Sequence, residues 1–295
     1  MTKDEKFQEN IEKFIEETID ACRELPQTVD KSMAEEKYIE ICKNASDYVT
    51  KEFEKADSFA MYEFVSIFTT TFYNYMIKNS SKHDIYLDHL VLSALRKYRQ
   101  IIYCLYNDDL ECGILLFRAL YENILVMKFL SFNPACIESY IDFSIYSFLK
   151  KMVENKEMKE NDIIKIKSDY DRIKSKHGDN LNNKYGWAKS VFQKDNITSK
   201  DLHNTLLSEI EPINIMLDIS SELLDSSISG LVRYRISGDK YLKLLIDKNM
   251  EIFGIRFLIK SLYDIFCDNN FFEANVFLKI IEFALEKWGY DIKIR

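Results

Sequence analysis

Chain-breaking residues are scarce, and this scarcity constrains the fold more than any other feature of the sequence. The 295 residues include only 7 Gly and 3 Pro, the residues that supply the turns of β-sandwiches, β-barrels and Rossmann-type folds. Hydrophobic residues make up 47% of the chain, which is enough for a sizeable core. We therefore expect an all-α fold, a multi-helix antiparallel bundle of about nine to eleven long helices with one long polar loop over residues 177–187.

The negative charge of the chain is concentrated at its N-terminal end. Residues 1–60 carry 16 acidic and 9 basic side chains, a net charge of −7 out of −8 for the whole sequence. Residues 150–200 reverse this balance with 13 basic and 8 acidic side chains, so a local contact with RNA or another polyanion stays open. Since no internal repeat or low-complexity linker occurs, we expect residues 1–60 to form an acidic helical arm and residues 61–295 a main helical bundle with a single core.

Neither a metal site nor a cofactor motif is predicted. The six cysteines are widely spaced, with no C-x-x-C pair and no histidine at zinc-ligand spacing, so we expect reduced and mostly packed thiols. Scattered glycines form no P-loop and no G-x-G-x-x-G motif. The first residues lack the apolar segment of a signal peptide, and no stretch approaches about 18 uninterrupted apolar residues. We expect a cytoplasmic protein with no membrane partner.

Arg118 and Glu122 stand four residues apart on the most apolar predicted helix, over residues 109–131. At this spacing the two side chains share a helix face and can form an ion pair. A charge embedded in apolar surface is costly without such a partner. In the functional interpretation, Arg118 grips a phosphate or carboxylate while Glu122 holds it or acts as a base. In the structural interpretation, the pair ties the central helix to its neighbours.

Arg172 and His177 have the Arg-x-x-x-x-His spacing of the HEPN group of helical ribonucleases and resemble that group in this respect. There the arginine contacts the scissile phosphate and the histidine assists proton transfer. A histidine can act on a ribose hydroxyl while an arginine stabilises the charge of the phosphate. The alternative is a solvated basic helix end, which the 40 basic residues and 4 histidines of this chain can produce by chance.

Trp187 follows Gly186 at the end of the polar loop. Its indole can anchor the loop on the bundle or serve as a stacking platform for a base. The sequence favours the anchor, because most tryptophans bury their large apolar surface.

Four short motifs follow one another along the chain: Arg118-x-x-x-Glu122, Tyr140-Ile141-Asp142-Phe143-Ser144, Gly186-Trp187 and Ile219-Ser220-Ser221-Glu222-Leu223-Leu224-Asp225-Ser226. Over about residues 85–235 they resemble, in this order, a bacterial family of all-helical proteins known only as a domain of unknown function. Its members are similar to HEPN-type helical bundles, and some lie with mobile or defence genes. The resemblance implies a cytosolic helical bundle.

This chain departs from the family pattern at one position. In the family, the serine-containing helix usually continues to a histidine, whereas Leu224 or Asp225 occupies the equivalent position here. The carboxylate of Asp225 can replace that histidine. The resemblance then implies a catalytic set of Arg118, Glu122 and Asp225. These would face a polar pocket shared with Tyr140, Ser144 and Ser221, and further binding residues are Trp187, Arg172 and His177.

Two functional hypotheses follow from the sequence. The first is a defence-related or toxin-like protein that binds RNA or a nucleotide at the Arg118–Glu122 pocket, with ribonuclease-like cleavage as a further option. The second is a non-enzymatic interaction module that self-associates or binds a protein partner through its acidic N-terminal arm or the aromatic segment 59–75. Neither hypothesis requires a cofactor.

Overall fold

A computed structural model describes residues 3–25, 31–55, 61–79, 85–107, 109–154, 160–206, 258–269 and 271–289. Within these ranges the chain forms eleven α-helices and no strand, which confirms the predicted all-α fold. The helices are α1 (Lys3–Arg23), α2 (Lys31–Lys55), α3 (Met61–Asn79), α4 (Ile85–Tyr106), α5 (Leu110–Phe132), α6 (Ile137–Glu154), α7 (Glu160–His177), α8 (Lys189–Phe192), α9 (Ser199–Leu206), α10 (Ile259–Asn269) and α11 (Phe271–Lys287).

Turn chemistry in the sequence accounts for several helix ends. Asp109 precedes α5, and its Oδ1 accepts a hydrogen bond of 3.2 Å from the backbone N–H of Cys112, as an N-terminal cap does. Pro134 begins a short 3₁₀ turn, Pro134–Cys136, and α6 follows at Ile137. The predicted polar loop contains two further 3₁₀ turns, Gly178–Asn182 and Gly186–Ala188.

Chain packing separates two compact units, one formed by residues 1–124 and 210–295 and the other by residues 125–209. In the first unit, α1 packs on α2 and α3, and α2 packs on α11. The two helices from the predicted acidic arm therefore contribute to the core of this unit. At its centre, aromatic rings of α3 and α11 contact one another, namely Phe64, Phe68, Phe72 and Phe277.

The second unit is organised by α6 and α7, which pack side by side. Glu138 pairs with Lys176 near the start of α6, and Tyr146 stacks on Tyr170 two turns further on, with ring centroids 5.4 Å apart. Because contacts advance along one helix as they recede along the other, the two helices are antiparallel. None of the helices in the described ranges is both long enough and apolar enough to cross a membrane.

Candidate functional site

A buried carboxylate on α6 lies at the centre of a polar contact between α6 and α7. Asp142 is only 4% exposed, and it faces the last turn of α7. Its Oδ2 accepts a hydrogen bond of 2.9 Å from Nε2 of His177 and one of 3.0 Å from Nζ of Lys176. Its Oδ1 lies 3.4 Å from Nη2 of Arg172. Three side chains of one helix end thus converge on one carboxylate of the neighbouring helix.

Asp142 is held in its charged form by these partners. Burial by itself favours the neutral acid, but the hydrogen bonds from His177 and Lys176 and the positive charges of Lys176 and Arg172 outweigh it and lower the pKa of Asp142. In turn, the hydrogen bonds to Glu138 and Asp142 raise the pKa of Lys176. Both groups therefore carry full charges at neutral pH.

The ionised carboxylate also fixes the orientation of the His177 ring. A carboxylate only accepts hydrogen bonds, so Nε2 of the imidazole must carry the hydrogen that it donates. In the neutral ring, Nδ1 is then the nitrogen that can take up a proton. The His177 side chain is 11% exposed, which differs from the fully solvated helix end that the sequence suggests as one alternative.

Within this group, the two cationic side chains are more exposed to solvent than the carboxylate that they contact. The side chain of Asp142 is 5% exposed, that of Lys176 37% and that of Arg172 52%. The Arg172 guanidinium therefore contacts Asp142 and is also half-exposed to solvent. A cation in this position can contact an anionic ligand without losing its contact with the protein.

Two local features hold His177 at the end of α7. Gly178 follows it with φ of +53°, a left-handed conformation that ends helices and suits glycine. The ring of Phe143 then packs edge to face against the imidazole, with centroids 5.1 Å apart. Because Phe143 is the neighbour of Asp142 on α6, one short segment supplies both the carboxylate and an apolar wall for the histidine.

Gly186 packs closely against the Phe143 ring. A Cβ atom at this position would lie 2.3 Å from the carbonyl oxygen of Asn180 and 2.7 Å from Cε1 of Phe143. No side chain fits at these distances, so the close approach of the loop to Phe143 requires glycine. The Gly186-Trp187 pair that the sequence singles out is thus linked to His177 through one aromatic ring.

The predicted pair of Arg118 and Glu122 forms on α5 in the first unit. Nε of Arg118 lies 3.8 Å from Oε1 of Glu122, and the side chains are 34% and 33% exposed. The two ions are therefore neither sealed in the core nor fully solvated. Two other members of the predicted pocket, Tyr140 and Ser144, belong to the second unit. The remaining two, Ser221 and Asp225, lie outside the described residues.

Tyr140 and Ser144 occupy a different face of α6 from Asp142. Residues two apart on an α-helix point about 200° away from each other. Ser144 donates a hydrogen bond of 2.7 Å to the backbone carbonyl of Tyr140, and the Tyr140 ring packs against Trp187 with centroids 5.2 Å apart. Trp187 is 4% exposed and also contacts Phe129. It therefore offers little surface for a stacking base.

Asp142 is the residue that sequence reasoning missed, although it lies inside one of the family-like motifs. The available signal was a matched spacing: Glu138 and Asp142 are four apart on one helix, and Arg172 and Lys176 are four apart on the next. Two acidic and two basic side chains at the same period fit face to face between antiparallel helices. Only the tertiary pairing shows that His177 joins the same group.

A second group of polar side chains lies in the first unit, where α4 meets α5. The sulfur atoms of Cys104 and Cys112 and a carboxylate oxygen of Asp109 all lie within 4.8 Å of one another. Thiolates and carboxylates are ligands of Zn²⁺ and related divalent cations. The C-x-x-x-x-D-x-x-C spacing lies outside the zinc patterns considered in the sequence.

Comparison with known proteins gives one finding for this chain. No curated protein and no solved structure matches it significantly. Residues 84–209, which include α4 to α9, Asp142 and its three partners on α7, match the model of a family of unknown function, DUF5677.

Proposed function

We propose that this protein binds the phosphates of RNA or of a nucleotide at the α7 cluster, defined as Asp142, Arg172, Lys176 and His177, and that it cleaves RNA there. The observation that carries the proposal is the 2.9 Å hydrogen bond from His177 to a buried carboxylate with two cations alongside. A base, a group that orients it and a source of positive charge are the parts that phosphodiester cleavage requires.

The cleavage step uses each member in a defined role. Nδ1 of His177 takes the proton of a ribose 2′-hydroxyl, and the 2′-oxygen forms a bond to the adjacent phosphorus. The bond from phosphorus to the 5′-oxygen breaks, and the leaving oxygen takes a proton from the imidazolium or from water. Arg172 and Lys176 stabilise the negative charge on the phosphoryl oxygens. The products are a 2′,3′-cyclic phosphate and a 5′-hydroxyl end.

The Arg-x-x-x-x-His resemblance to HEPN ribonucleases supports the same assignment, as does the basic balance of residues 150–200. With this activity the chain would act as a cytosolic, defence-related or toxin-like protein. The Arg118–Glu122 pocket remains a second candidate for the anion-binding position, since its arginine is one-third exposed.

The test is cleavage of a synthetic single-stranded RNA, with the product ends identified by mass spectrometry. We expect cyclic phosphate ends from the wild-type chain, cleavage slowed by about 10²–10⁴-fold in His177→Ala, and weaker RNA binding by Arg172→Ala. Unchanged cleavage by His177→Ala would rule out the α7 cluster as the reaction site. Unchanged binding and cleavage by Arg118→Ala would remove the Arg118–Glu122 pocket from the proposal.

One observation favours a non-enzymatic alternative. On α4, Ile85, Tyr103 and Tyr106 are 61%, 70% and 54% exposed. Tyr103 and Tyr106 are three residues apart and share one side of the C-terminal end of the helix, while the exposed Arg96 and Arg99 separate them from Ile85. Two neighbouring exposed tyrosines suit a contact with a protein partner or a second copy of the chain. Light scattering over a range of concentrations tests self-association, and Tyr103→Lys should abolish it. A monomer at every concentration would contradict the self-associating form of this alternative.

A further inference from the structure

We infer that Cys104, Asp109 and Cys112 form a binding site for Zn²⁺ or a chemically similar divalent cation at the junction of α4 and α5. The site would use the two sulfur atoms and one carboxylate oxygen as ligands, with water in a fourth position. The inference is independent of the proposed RNA-directed function, because all three residues belong to the first unit and none belongs to the α7 cluster.

The ligand atoms are already close to the spacing that a tetrahedral ion needs. They lie within 4.8 Å of one another. Zinc bonds of about 2.0–2.3 Å imply separations of about 3.5–3.8 Å between ligand atoms. The remaining closure of about 1 Å lies within the reach of side-chain rotation at Cys112 and Asp109, which are both exposed.

The backbone around the site is held by its own hydrogen bonds. The N–H of Asp109 donates to the carbonyl of Cys104 at 2.9 Å, and the N–H of Gly113 donates to the carbonyl of Asp109 at 3.1 Å. Oδ1 of Asp109 accepts a hydrogen bond from the N–H of Cys112, which holds the carboxylate beside Cys112. The backbone that carries the three ligand groups is therefore already ordered, so metal binding costs little backbone conformational entropy.

The Cys104 thiol is protonated in the absence of a metal. Burial, followed by the hydrogen bond and the electrostatic interaction with Cys112, raises the pKa of the Cys104 thiol to about 11. Each cysteine that binds the ion gives its proton to solvent, so the two thiolates and the carboxylate neutralise the cation and leave one excess negative charge. Cys104 is 8% exposed, which shields its bond to the metal from water.

Cobalt(II) titration of the full, reduced, metal-free chain tests the inference. We expect one equivalent to bind with a thiolate-to-cobalt charge-transfer absorption, which Zn²⁺ then removes because it binds such sites more tightly. Cys112→Ser should lose most of this absorption. Because Cys112 is exposed, this substitution should leave the fold intact. Asp109→Asn keeps the helix cap and should weaken cobalt binding by about tenfold or more.

Cys22→Ser is the matched control, because Cys22 is a buried thiol that contacts a second cysteine, Cys42. This variant should keep the absorption of the wild-type chain. Zn²⁺ should also raise the Tm of the wild-type chain and leave that of Cys112→Ser unchanged. The inference is overturned if the wild-type chain shows no charge-transfer band. It is equally overturned if Cys112→Ser retains the full band while Cys22→Ser loses it.

Discussion

The protein contains two arginine sites, each with a titratable residue four or five positions further on, and these two sites differ in the structure. Arg118 pairs with Glu122 one turn away on the same helix, at 3.8 Å and with both side chains about one-third exposed. Arg172 belongs to a group centred on Asp142, a buried carboxylate 30 positions earlier in the chain. The Arg118–Glu122 ion pair lies within one helix, while the group around Arg172 depends on the packing of two helices.

The two sites differ in what they can do, because an ion pair alone is not enough to support a reaction. A partly exposed ion pair at i and i+4 contributes a few tenths of a kcal/mol. A buried carboxylate with a histidine and two cations fixes the orientation of each partner. Orientation and electrostatic support are what a reaction needs from its surroundings, so the α7 cluster is the stronger candidate for catalysis.

The largest expected effect is on activity. If the α7 cluster cleaves RNA, His177→Ala removes the general base and should lower the cleavage rate by about 10²–10⁴-fold. His89→Ala is the control, because His89 is exposed on α4 and outside the cluster. The rates are compared on one RNA substrate, with circular dichroism to verify that both variants fold. A similar loss in both variants would contradict a specific role for His177.

The next effect tests the loop that supports the cluster. Gly186→Ala places a methyl group against the Asn180 carbonyl and the Phe143 ring, and overpacking of this kind should lower the free energy of unfolding by about 3 kcal/mol. Gly113→Ala is the matched variant. Its Cβ would lie 3.7 Å from Cβ of Cys104, an ordinary contact inside a helix. This change should stabilise by about 0.5–1 kcal/mol. Urea unfolding measures both, and equal destabilisation would refute the steric argument.

Removal of the central carboxylate should have a somewhat smaller effect. Asp142→Ala takes away three polar contacts, but Arg172 and Lys176 are exposed enough to hydrate after the loss. We expect a decrease of about 2 kcal/mol in the free energy of unfolding, within the usual range for a lost buried hydrogen-bonding partner. Chemical denaturation measures it. A neutral result would mean that the contacts at Asp142 do not contribute to stability.

How much of this could be foreseen depends on the distance along the chain over which each feature acts. The helices follow from local patterns, such as the apolar run of α5 and the cap at Asp109, so the fold class was predictable. The partner of His177 was not, because it is 35 positions away and only the antiparallel register of α6 and α7 brings the two together. The requirement for glycine at position 186 likewise depends on the carbonyl of Asn180 and the ring of Phe143, whose positions periodicity does not specify.

The charge state of Asp142 gives a pH-dependent effect. Its pKa is lower in the folded protein than in the unfolded chain, so the folded state binds fewer protons between the two values. The stabilisation is therefore complete above about pH 4, the ordinary range for aspartate, and is lost as the pH falls through the lower folded value. Stability measured against pH should show a smaller acid loss in Asp142→Asn. Parallel curves for both proteins would contradict this assignment.

The smallest effect belongs to the local pair. Glu122→Ala removes an ion pair at 3.8 Å between side chains that are about one-third exposed, and the loss of such a pair should lower the free energy of unfolding by no more than about 0.5 kcal/mol. High salt should reduce even this difference, because it screens exposed charges. Denaturation at low and high ionic strength measures both quantities. A loss comparable with that of Asp142→Ala would show that Glu122 has a structural role greater than its exposure indicates, and the contrast between the two arginine sites would then disappear.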